Sequence, residues 1–156
     1  MDIGSGKEYP ANSLSNFSPH PFVFDGVECA SMEGLIQSFK FKEPDIQKEV
    51  CKLVGKMAKF RGKPKKWFLT QKLFWLGKEY DRKSDDYQKL LDRAFLALSK
   101  NEGFRKALLA SGNSTLTHEI GKSKESETVL TKREFISRLN KLREKFKNEE
   151  NSNEKK

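Results

Sequence analysis

The 156-residue sequence lacks the features that mark membrane, secreted and metal-bound proteins. It has no run of about 18 apolar residues, the length that a membrane-spanning helix requires. The opening residues MDIGSGKEYP contain no apolar signal core, so neither a membrane span nor secretion is predicted, and we expect a cytoplasmic protein. The two cysteines, Cys29 and Cys51, form no CxxC pair and have no paired histidine. This spacing argues against a zinc site and a disulfide framework, and it favours two buried thiols.

The remaining composition is that of a globular chain. Hydrophobic residues make up 35% of the sequence, charged residues make up 34%, and there are twelve Phe. A chain of this length can form one domain around one core. The last ten residues, KNEENSNEKK, contain no apolar side chain and can bury nothing. We therefore predict one domain over 1–146 and a disordered polar tail over 147–156.

The positive charge of the chain is concentrated in one segment. The net charge is +9, and residues 40–83 hold 14 Lys and Arg against 5 Asp and Glu, a surplus of nine. The remainder holds 17 basic and 17 acidic residues, so it is balanced. A basic segment in an otherwise neutral protein is typical of polyanion binding, whether the ligand is a phosphate-rich nucleotide, DNA or RNA. A lysine-rich solvated surface is the alternative interpretation.

The segment from Leu14 to Phe41 predicts a hairpin followed by a helix. PFVF and VECA are two short apolar segments joined by Asp25-Gly26, a dipeptide that tolerates the positive φ angles of a two-residue turn. Ser31 is placed as an N-cap, and a helix is predicted from about Met32.

Two stripes run along that predicted helix. The apolar stripe consists of Met32, Leu35, Ile36 and Phe39. Glu33, Gln37 and Lys40 lie at i, i+4 and i+7 on another face. An acid, an amide and an amine along one helix edge form either a binding site or a solvated surface, and spacing alone does not decide between them.

The rest of the chain predicts further helices. One helix is expected over about 45–60, ending at Arg61-Gly62-Lys63-Pro64. Ser84 can cap a helix with an apolar face from Tyr87 to Leu98, a short helix follows around 104–108, and Thr131-x-x-Glu134 is a capping box. Residues 61–83 have no clean period. The predicted fold is therefore mainly α, a single compact multihelical domain with a small N-terminal β-hairpin.

The residue pattern of the N-terminal segment resembles that of a known protein family. Ser15-Asn16-Phe17, Pro21, Asp25-Gly26, Glu33, Gln37 and Lys40-Phe41 are similar to the N-terminal signature of the NADAR, or YbiA-like, family. Members of that family are N-glycosidases that hydrolyse the bond between a base or amine and a ribose. The resemblance implies the YbiA-like fold and a hydrolase acting on ADP-ribose-type or phosphorylated riboflavin-precursor substrates. The chain departs from the pattern at several positions: Gly34 stands where many members have His and Cys29 where many have Trp. Residues 117–122 also replace a Trp-Gly-Asp-Gly-like loop near the end, and Trp75 lies upstream of the place where members tend to carry a Trp.

Glu33 is the candidate catalytic residue. Cleavage of an N-glycosidic bond passes through a ribosyl cation-like transition state, so a carboxylate is needed to stabilise charge and to orient or deprotonate water. In the first turn of a helix, the dipole favours the ionised form of such an acid. An ordinary helix-terminal acid is the alternative interpretation.

The other candidate residues are assigned to substrate binding. Asn16 and Gln37 could hydrogen-bond ribose hydroxyls, Lys40 could meet a phosphate, and Phe17 belongs to the same signature. His118 could contact phosphate or ribose or carry a proton, since histidine titrates near neutral pH. Trp75, with Gly77 two residues on, is predicted to stack on the base, although most tryptophans in such a stretch are core residues. No metal ligand set and no cofactor are predicted.

Three functions follow as hypotheses. The first is an N-glycosidase acting on an ADP-ribose-like substrate, including ADP-ribose attached to nucleobases. The second is a hydrolase of phosphorylated riboflavin-biosynthesis intermediates. The third is a noncatalytic nucleotide- or nucleic-acid-binding protein that uses the basic segment 40–83. Helix-turn-helix and zinc-finger spacings are absent from the sequence, which lowers the third interpretation without removing it.

Overall fold

The computed structural model describes residues 1–154 and consists of six α-helices and two antiparallel hairpins. Three short 3-10 helices cover Asn12–Leu14, Trp67–Leu69 and Glu125–Glu127. The strands and helices in chain order are β1 Phe22–Phe24, β2 Val27–Cys29, α1 Met32–Ser38, α2 Pro44–Cys51, α3 Gly55–Gly62, β3 Lys72–Trp75, β4 Lys78–Asp81, α4 Asp85–Leu98, α5 Glu102–Ala110 and α6 Lys132–Glu154.

The first hairpin confirms the prediction made from the Asp-Gly dipeptide. β1 and β2 pair in antiparallel register, with Phe22 opposite Cys29 and Phe24 opposite Val27. The turn between them has positive φ angles at both central residues, 47° and 79°. These four paired residues are buried, so one face of the hairpin belongs to the core.

The prediction of a mainly α fold is wrong. Half of the chain is helical and a tenth is strand, and the architecture is α/β because a second hairpin, β3–β4, was missed. Its turn is Leu76-Gly77, with φ angles of 45° and 90°, and Leu is not a residue that signals such a turn. Burial alternates at Leu73 and Trp75, but over a strand of four residues this alternation is too short to predict a strand.

The helix predicted over 45–60 is two helices. α2 ends at Cys51 and α3 begins at Gly55, whose φ of +54° is the left-handed conformation that glycine adopts most readily. The change of direction alters which side chains are buried. Val54 and Met57, two apolar residues of this stretch, are 37% and 66% exposed.

The capping predictions for the later helices are confirmed. Ser84 Oγ accepts a hydrogen bond from the Tyr87 N–H (3.1 Å) at the start of α4. At the start of α6, Thr131 N–H donates to Glu134 Oε1 (2.8 Å) and Glu134 N–H donates to Thr131 Oγ1 (3.1 Å), which is a reciprocal capping box. α4 and α6 supply many of the buried apolar residues. Within residues 1–154, no helix is both long enough and apolar enough to cross a membrane.

Helix α6 continues through Glu154, where the sequence predicts a disordered tail from 147. Arg105 on α5 contacts two carboxylates of this extension, Glu149 (2.6 Å) and Glu150 (3.1 Å). Its guanidinium also lies over the Phe146 ring. These contacts hold the polar end of α6 to α5 without apolar burial. The last two tail residues lie outside the described part of the chain.

One buried side chain joins three segments around α1. Gln47 on α2 is fully buried, and its amide N–H groups donate to the carbonyl oxygens of Ser38, Phe41 and Phe74 at 2.8–3.2 Å. Its carbonyl accepts from the Leu76 N–H at 3.0 Å. Gln47 therefore connects the end of α1 to the second hairpin through backbone groups that are buried or partly buried.

We predict that Gln47→Ala destabilises the protein by at least about 3 kcal/mol, because it leaves several buried backbone groups without partners. Lys48→Ala, an exposed neighbour on the same helix, should stay within about 0.5 kcal/mol of wild type. Chemical denaturation of the two variants measures the difference. Equal stabilities would contradict this role for Gln47.

Candidate functional site

Glu33 lies in the first turn of α1, where its position is fixed by the backbone on both sides. Its N–H donates to the carbonyl oxygen of Asn16 at 2.9 Å. Ser31 caps the helix as predicted, accepting from the Gly34 N–H (3.1 Å) and donating to the carbonyl of Leu53 (2.8 Å). The Glu33 residue is only 8% exposed. A helix-terminal acid with no special role would normally be solvated, so this burial requires an explanation.

Gln37, one turn further along α1, is the hydrogen-bond partner of that acid. Its Nε2 donates to Glu33 Oε2 at 2.7 Å, and the residue is 6% exposed. The other amide atom, Oε1, is buried and has no hydrogen-bond partner within residues 1–154. This oxygen lies against Gly62 of α3, where an added Cβ would come within 1.9 Å of it. The Glu33–Gln37 pair therefore depends on the absence of a side chain at Gly62.

The burial of Glu33 changes its acidity in the direction opposite to the helix-dipole expectation. Burial raises the pKa of Glu33 above its usual value, and the Gln37 hydrogen bond and the charges of Lys59 and Lys40 lower it only in part. A raised pKa makes the ionised carboxylate a stronger base, which suits a general base.

Two lysines, Lys40 and Lys59, lie close enough to the acid for their charges to lower its pKa, and a third, Lys122, lies near Lys40. Burial lowers the pKa of Lys40, Glu33 raises it, and the positive charges of Lys122 and Lys59 lower it further. Lys40 was predicted from the sequence, whereas Lys59 and Lys122 were not. Lys59 lies within the single helix that the sequence predicts over about 45–60, and no pattern in the sequence connects it or Lys122 to Glu33.

The segment that carries Lys122 is held by a buried arginine. Arg82 is fully buried at the end of β4, and its guanidinium donates to both carboxylate oxygens of Glu134 at 3.0 and 2.6 Å. Its Nε also donates to the Thr128 carbonyl at 2.8 Å. Burial alone would raise the pKa of Glu134, but hydrogen bonds from Arg82, Gln88 and the Thr131 N–H outweigh it and lower the pKa. The second hairpin thus fixes the 117–131 segment to the start of α6.

The Asn16-Phe17 loop lies beside Glu33, as expected for a site, but it uses other atoms than predicted. Asn16 contributes its backbone carbonyl to Glu33 rather than a side-chain contact. Phe17 is half-buried and lies near Gly55, where an added Cβ would be 3.8 Å from its ring. Phe17 is therefore an aromatic side chain next to the start of α3.

Trp75 is a core residue, and this corrects its prediction as a base-stacking surface. It is 3% exposed, its ring stacks on Phe24 at 5.4 Å, and it meets Phe39 edge-on at 5.6 Å. Its indole N–H donates to Asp25 at 2.8 Å. The ring contacts Phe24 and Phe39, its polar edge is bonded to Asp25 and the residue is almost fully buried, so a base has no access to stack there.

His118 also lies apart from the group around Glu33. Its Nδ1 donates to the Ile3 carbonyl at 2.8 Å, and its ring meets Phe135 edge-on at 5.2 Å. The surface depression that it lines also includes Lys132, Arg133 and Ile136, and none of the residues around Glu33. These contacts indicate a structural histidine. Across residues 1–154, no three His, Cys, Asp or Glu side chains come together in a set that could hold a metal ion.

The presence of glycine rather than histidine at position 34 has a steric cause. An added Cβ at Gly34 would lie 2.7 Å from the carbonyl oxygen of Leu53, 3.0 Å from that of Val50 and 3.2 Å from that of Cys51. Histidine, found at this position in many NADAR proteins, cannot fit here without moving the end of α2. The Cys29 side chain, where many members have Trp, is buried in the core.

Comparison with known proteins gives relatives in sequence and in fold. A family model described as Bacteriophage protein GP30.3 matches residues 8–144. An uncharacterized 17.1 kDa protein in the Gp30–rIII intergenic region of Enterobacteria phage T4 is 36% identical over 149 residues, covering 92% of this chain and 97% of that protein. The NMR structure of the E. coli protein YbiA matches with a TM-score of 0.62 at 18% identity, covering 96% of this chain and 86% of that one. The YbiA-like resemblance is thus confirmed at the level of the fold.

We predict that Gly62→Ala destabilises the protein by about 1–3 kcal/mol, because the new methyl group displaces Gln37. Helix propensity alone would predict a gain of up to about 1 kcal/mol for the same change. Gly6→Ala is the matched control, since nothing lies within 4 Å of an added Cβ there. Thermal unfolding of both variants, and of Gly62→Ala with Gln37→Ala, tests the contact. A double variant no more stable than Gly62→Ala alone would contradict it.

We also predict that Glu33→Gln raises the melting temperature at neutral pH. Because the folded-state pKa of Glu33 is raised, the unfolded chain releases this proton first, and ionisation destabilises the folded state as pH rises through that window. Below the usual glutamate pKa, about 4, both states are protonated and the gain should disappear. Glu28→Gln, at an exposed position, is the control. A pH-independent difference would contradict the expectation.

Proposed function

The chain belongs to the Bacteriophage protein GP30.3 family and has the fold of YbiA, and from this premise we propose that it is an N-glycosidase. Its substrate in this proposal carries an ADP-ribose-type group, free or attached to a nucleobase. The bond that is hydrolysed joins the ribose to the base or amine. The chemistry is the one that the NADAR resemblance of residues 15–41 implies.

The observation that carries the proposal is the buried carboxylate of Glu33, paired with Gln37 and close to Lys40 and Lys59. An oxocarbenium-like transition state places positive charge on the ribose, and a carboxylate held in a water-poor site stabilises that charge strongly. A protein gains no stability from burying an acid whose pKa is raised by the burial. Retention of Glu33 in this environment is therefore better explained by chemistry than by folding.

The reaction needs one water and two proton transfers. Ionised Glu33 accepts a proton from water as the water oxygen attacks the anomeric carbon. The bond between that carbon and the base nitrogen breaks, and its electron pair leaves with the nitrogen. The proton held by Glu33 passes to that nitrogen, so the products are a ribosyl hydroxyl and a free base. Gln37 donates to one carboxylate oxygen and leaves the other for the water.

The surrounding residues suit a phosphorylated substrate. Lys40, Lys59 and Lys122 contribute three ammonium groups against one carboxylate, and a diphosphate would neutralise that excess. Phe17, in the loop beside Glu33, contacts the ribose or the base in this proposal. It supplies the aromatic contact that the buried Trp75 cannot make. A phosphorylated riboflavin precursor has the same two chemical parts, an N-glycosidic bond and a phosphate, and is the second substrate class to test.

We predict that Glu33→Gln lowers single-turnover cleavage by at least about a hundredfold while ligand affinity changes little, because the amide keeps the shape and loses the charge. The measurement is mass spectrometry of the released base, using a panel of ADP-ribosylated nucleobases and phosphorylated riboflavin precursors.

Glu28→Gln is the control for this experiment, since it removes an exposed acid from β2. It should cleave at the wild-type rate. If Glu33→Gln cleaved at near-normal rates, the proposed mechanism would be excluded. If wild type bound members of the panel and released no base from any of them, a noncatalytic binding protein would be favoured.

A further inference from the structure

The part of the chain that contains α3 is unusual in its charge. Residues 50–78 hold nine Lys and Arg and no Asp or Glu. Within residues 1–154, only Lys72 and Lys78 of these nine form salt bridges, with Glu79, Asp81 and Asp86. The other seven cations have no carboxylate within 4 Å in the part of the chain that the structure describes, so most of the charge of this surface is left without an ion-pair partner there.

The outer surface of α3 combines these charges with exposed apolar side chains. Ala58 and Gly62, four residues apart, are buried and face α1. Lys56, Phe60 and Lys63, at i, i+4 and i+7, therefore lie on the opposite face. Phe60 is 57% exposed. An aromatic ring between two lysines on a solvated helix face contributes nothing to the core.

Further apolar side chains are exposed along the same stretch. Met57 lies beside Phe60 on α3, and Phe68 and Leu69 follow in the 3-10 helix, all of them at least half exposed. At the end of α3, the charges of Arg61 and Lys65 lie 4.7 and 5.3 Å from the centre of the Phe41 ring. These contacts concentrate positive charge where the helix ends.

We propose that the outer surface of α3, formed by Lys56, Met57, Phe60 and Lys63 and continued by Lys66 and Phe68, binds single-stranded nucleic acid. Unstacked bases can lie against exposed aromatic rings while lysines contact the phosphates, and this combination is sequence-tolerant. A base-paired duplex hides its base faces and would leave the apolar side chains without partners. An anionic membrane is disfavoured, because α3 has only eight residues and its exposed face alternates between charged and apolar side chains.

The surface adjoins the candidate site but does not depend on its chemistry. Lys59 projects from the flank of α3 and its charge lowers the pKa of Glu33, so one side of the helix faces the acid and the other faces solvent. A strand held on the outer surface would pass the edge of the site. Binding of an unmodified strand requires no cleavage, so its outcome is independent of the glycosidase proposal.

The test is fluorescence anisotropy with a labelled mixed-sequence DNA strand of about 12 nucleotides, within the usual site size of single-strand binders. The competitors are the matching duplex and anionic phospholipid vesicles. Phe60→Ala should weaken binding by roughly fivefold to a hundredfold, the loss expected for one stacked base. Leu96→Ala, which removes another exposed apolar side chain from α4, should bind like wild type. Thermal melting of both variants verifies that they are folded.

The charge contribution is tested by replacing Lys56, Lys63 and Lys66 together with Gln. Between about 50 and 200 mM salt, the slope of log K against log salt should become shallower by about two, because each lost phosphate contact on a single strand contributes about 0.7. Lys89, Lys106 and Lys141, exposed lysines outside the surface, provide a control triple replacement with the same change in net charge.

The proposal is overturned if the control triple variant loses as much slope as the test variant, or if Phe60→Ala binds like wild type. Tighter binding to the duplex would assign the surface to double-stranded nucleic acid and also overturn it. Tighter binding to the vesicles would assign the surface to a membrane, with the same consequence.

Discussion

Helix α1 is packed at two points against neighbours that leave no room for a side chain. At Gly34 the carbonyl oxygens of the end of α2 come close to the helix, and at Gly62 of α3 the space is filled by the amide of Gln37. These two approaches bring α2 and α3 against positions three residues apart on the same short helix. The burial of Glu33, its contact with Gln37 and the position of Lys59 all follow from them, so a larger side chain at either glycine would dismantle the site.

The electrostatics of the site oppose folding, so interactions elsewhere in the fold must stabilise it. Burial raises the pKa of Glu33 and lowers that of Lys40, so each charged form is less stable here than in water. The compensation comes from the interior of the fold, where Gln47 satisfies backbone groups of three segments and Arg82 forms a two-bond contact with Glu134. Such a division between a strained site and a rigid scaffold is common where a side chain is kept for chemistry.

Local signals in the sequence were sufficient to predict some of the helices and strands but not others. Asp25-Gly26 and Ser31 act through their own backbone neighbours, so the first hairpin and the start of α1 could be predicted, and with them the alignment of Glu33 and Gln37. The break at Gly55 and the second hairpin result from packing between distant segments. The local hydrophobic periodicity of the sequence does not indicate such packing. Trp75 was misassigned for the same reason, because a nearby glycine indicates a turn but does not show which side of the strand faces the core.

The amide of Gln37 gives the acid a partner in both of its protonation states. As the structure has it, Nε2 donates to an ionised Glu33, and Oε1 is buried and finds no donor among residues 1–154. A half-turn of the amide exchanges the two atoms, so that Oε1 could accept from the O–H of a protonated Glu33. A lysine at this position could serve only the charged acid, and a glutamate only the neutral one. The uncharged, two-sided glutamine lets the carboxyl gain and lose a proton without losing its hydrogen bond.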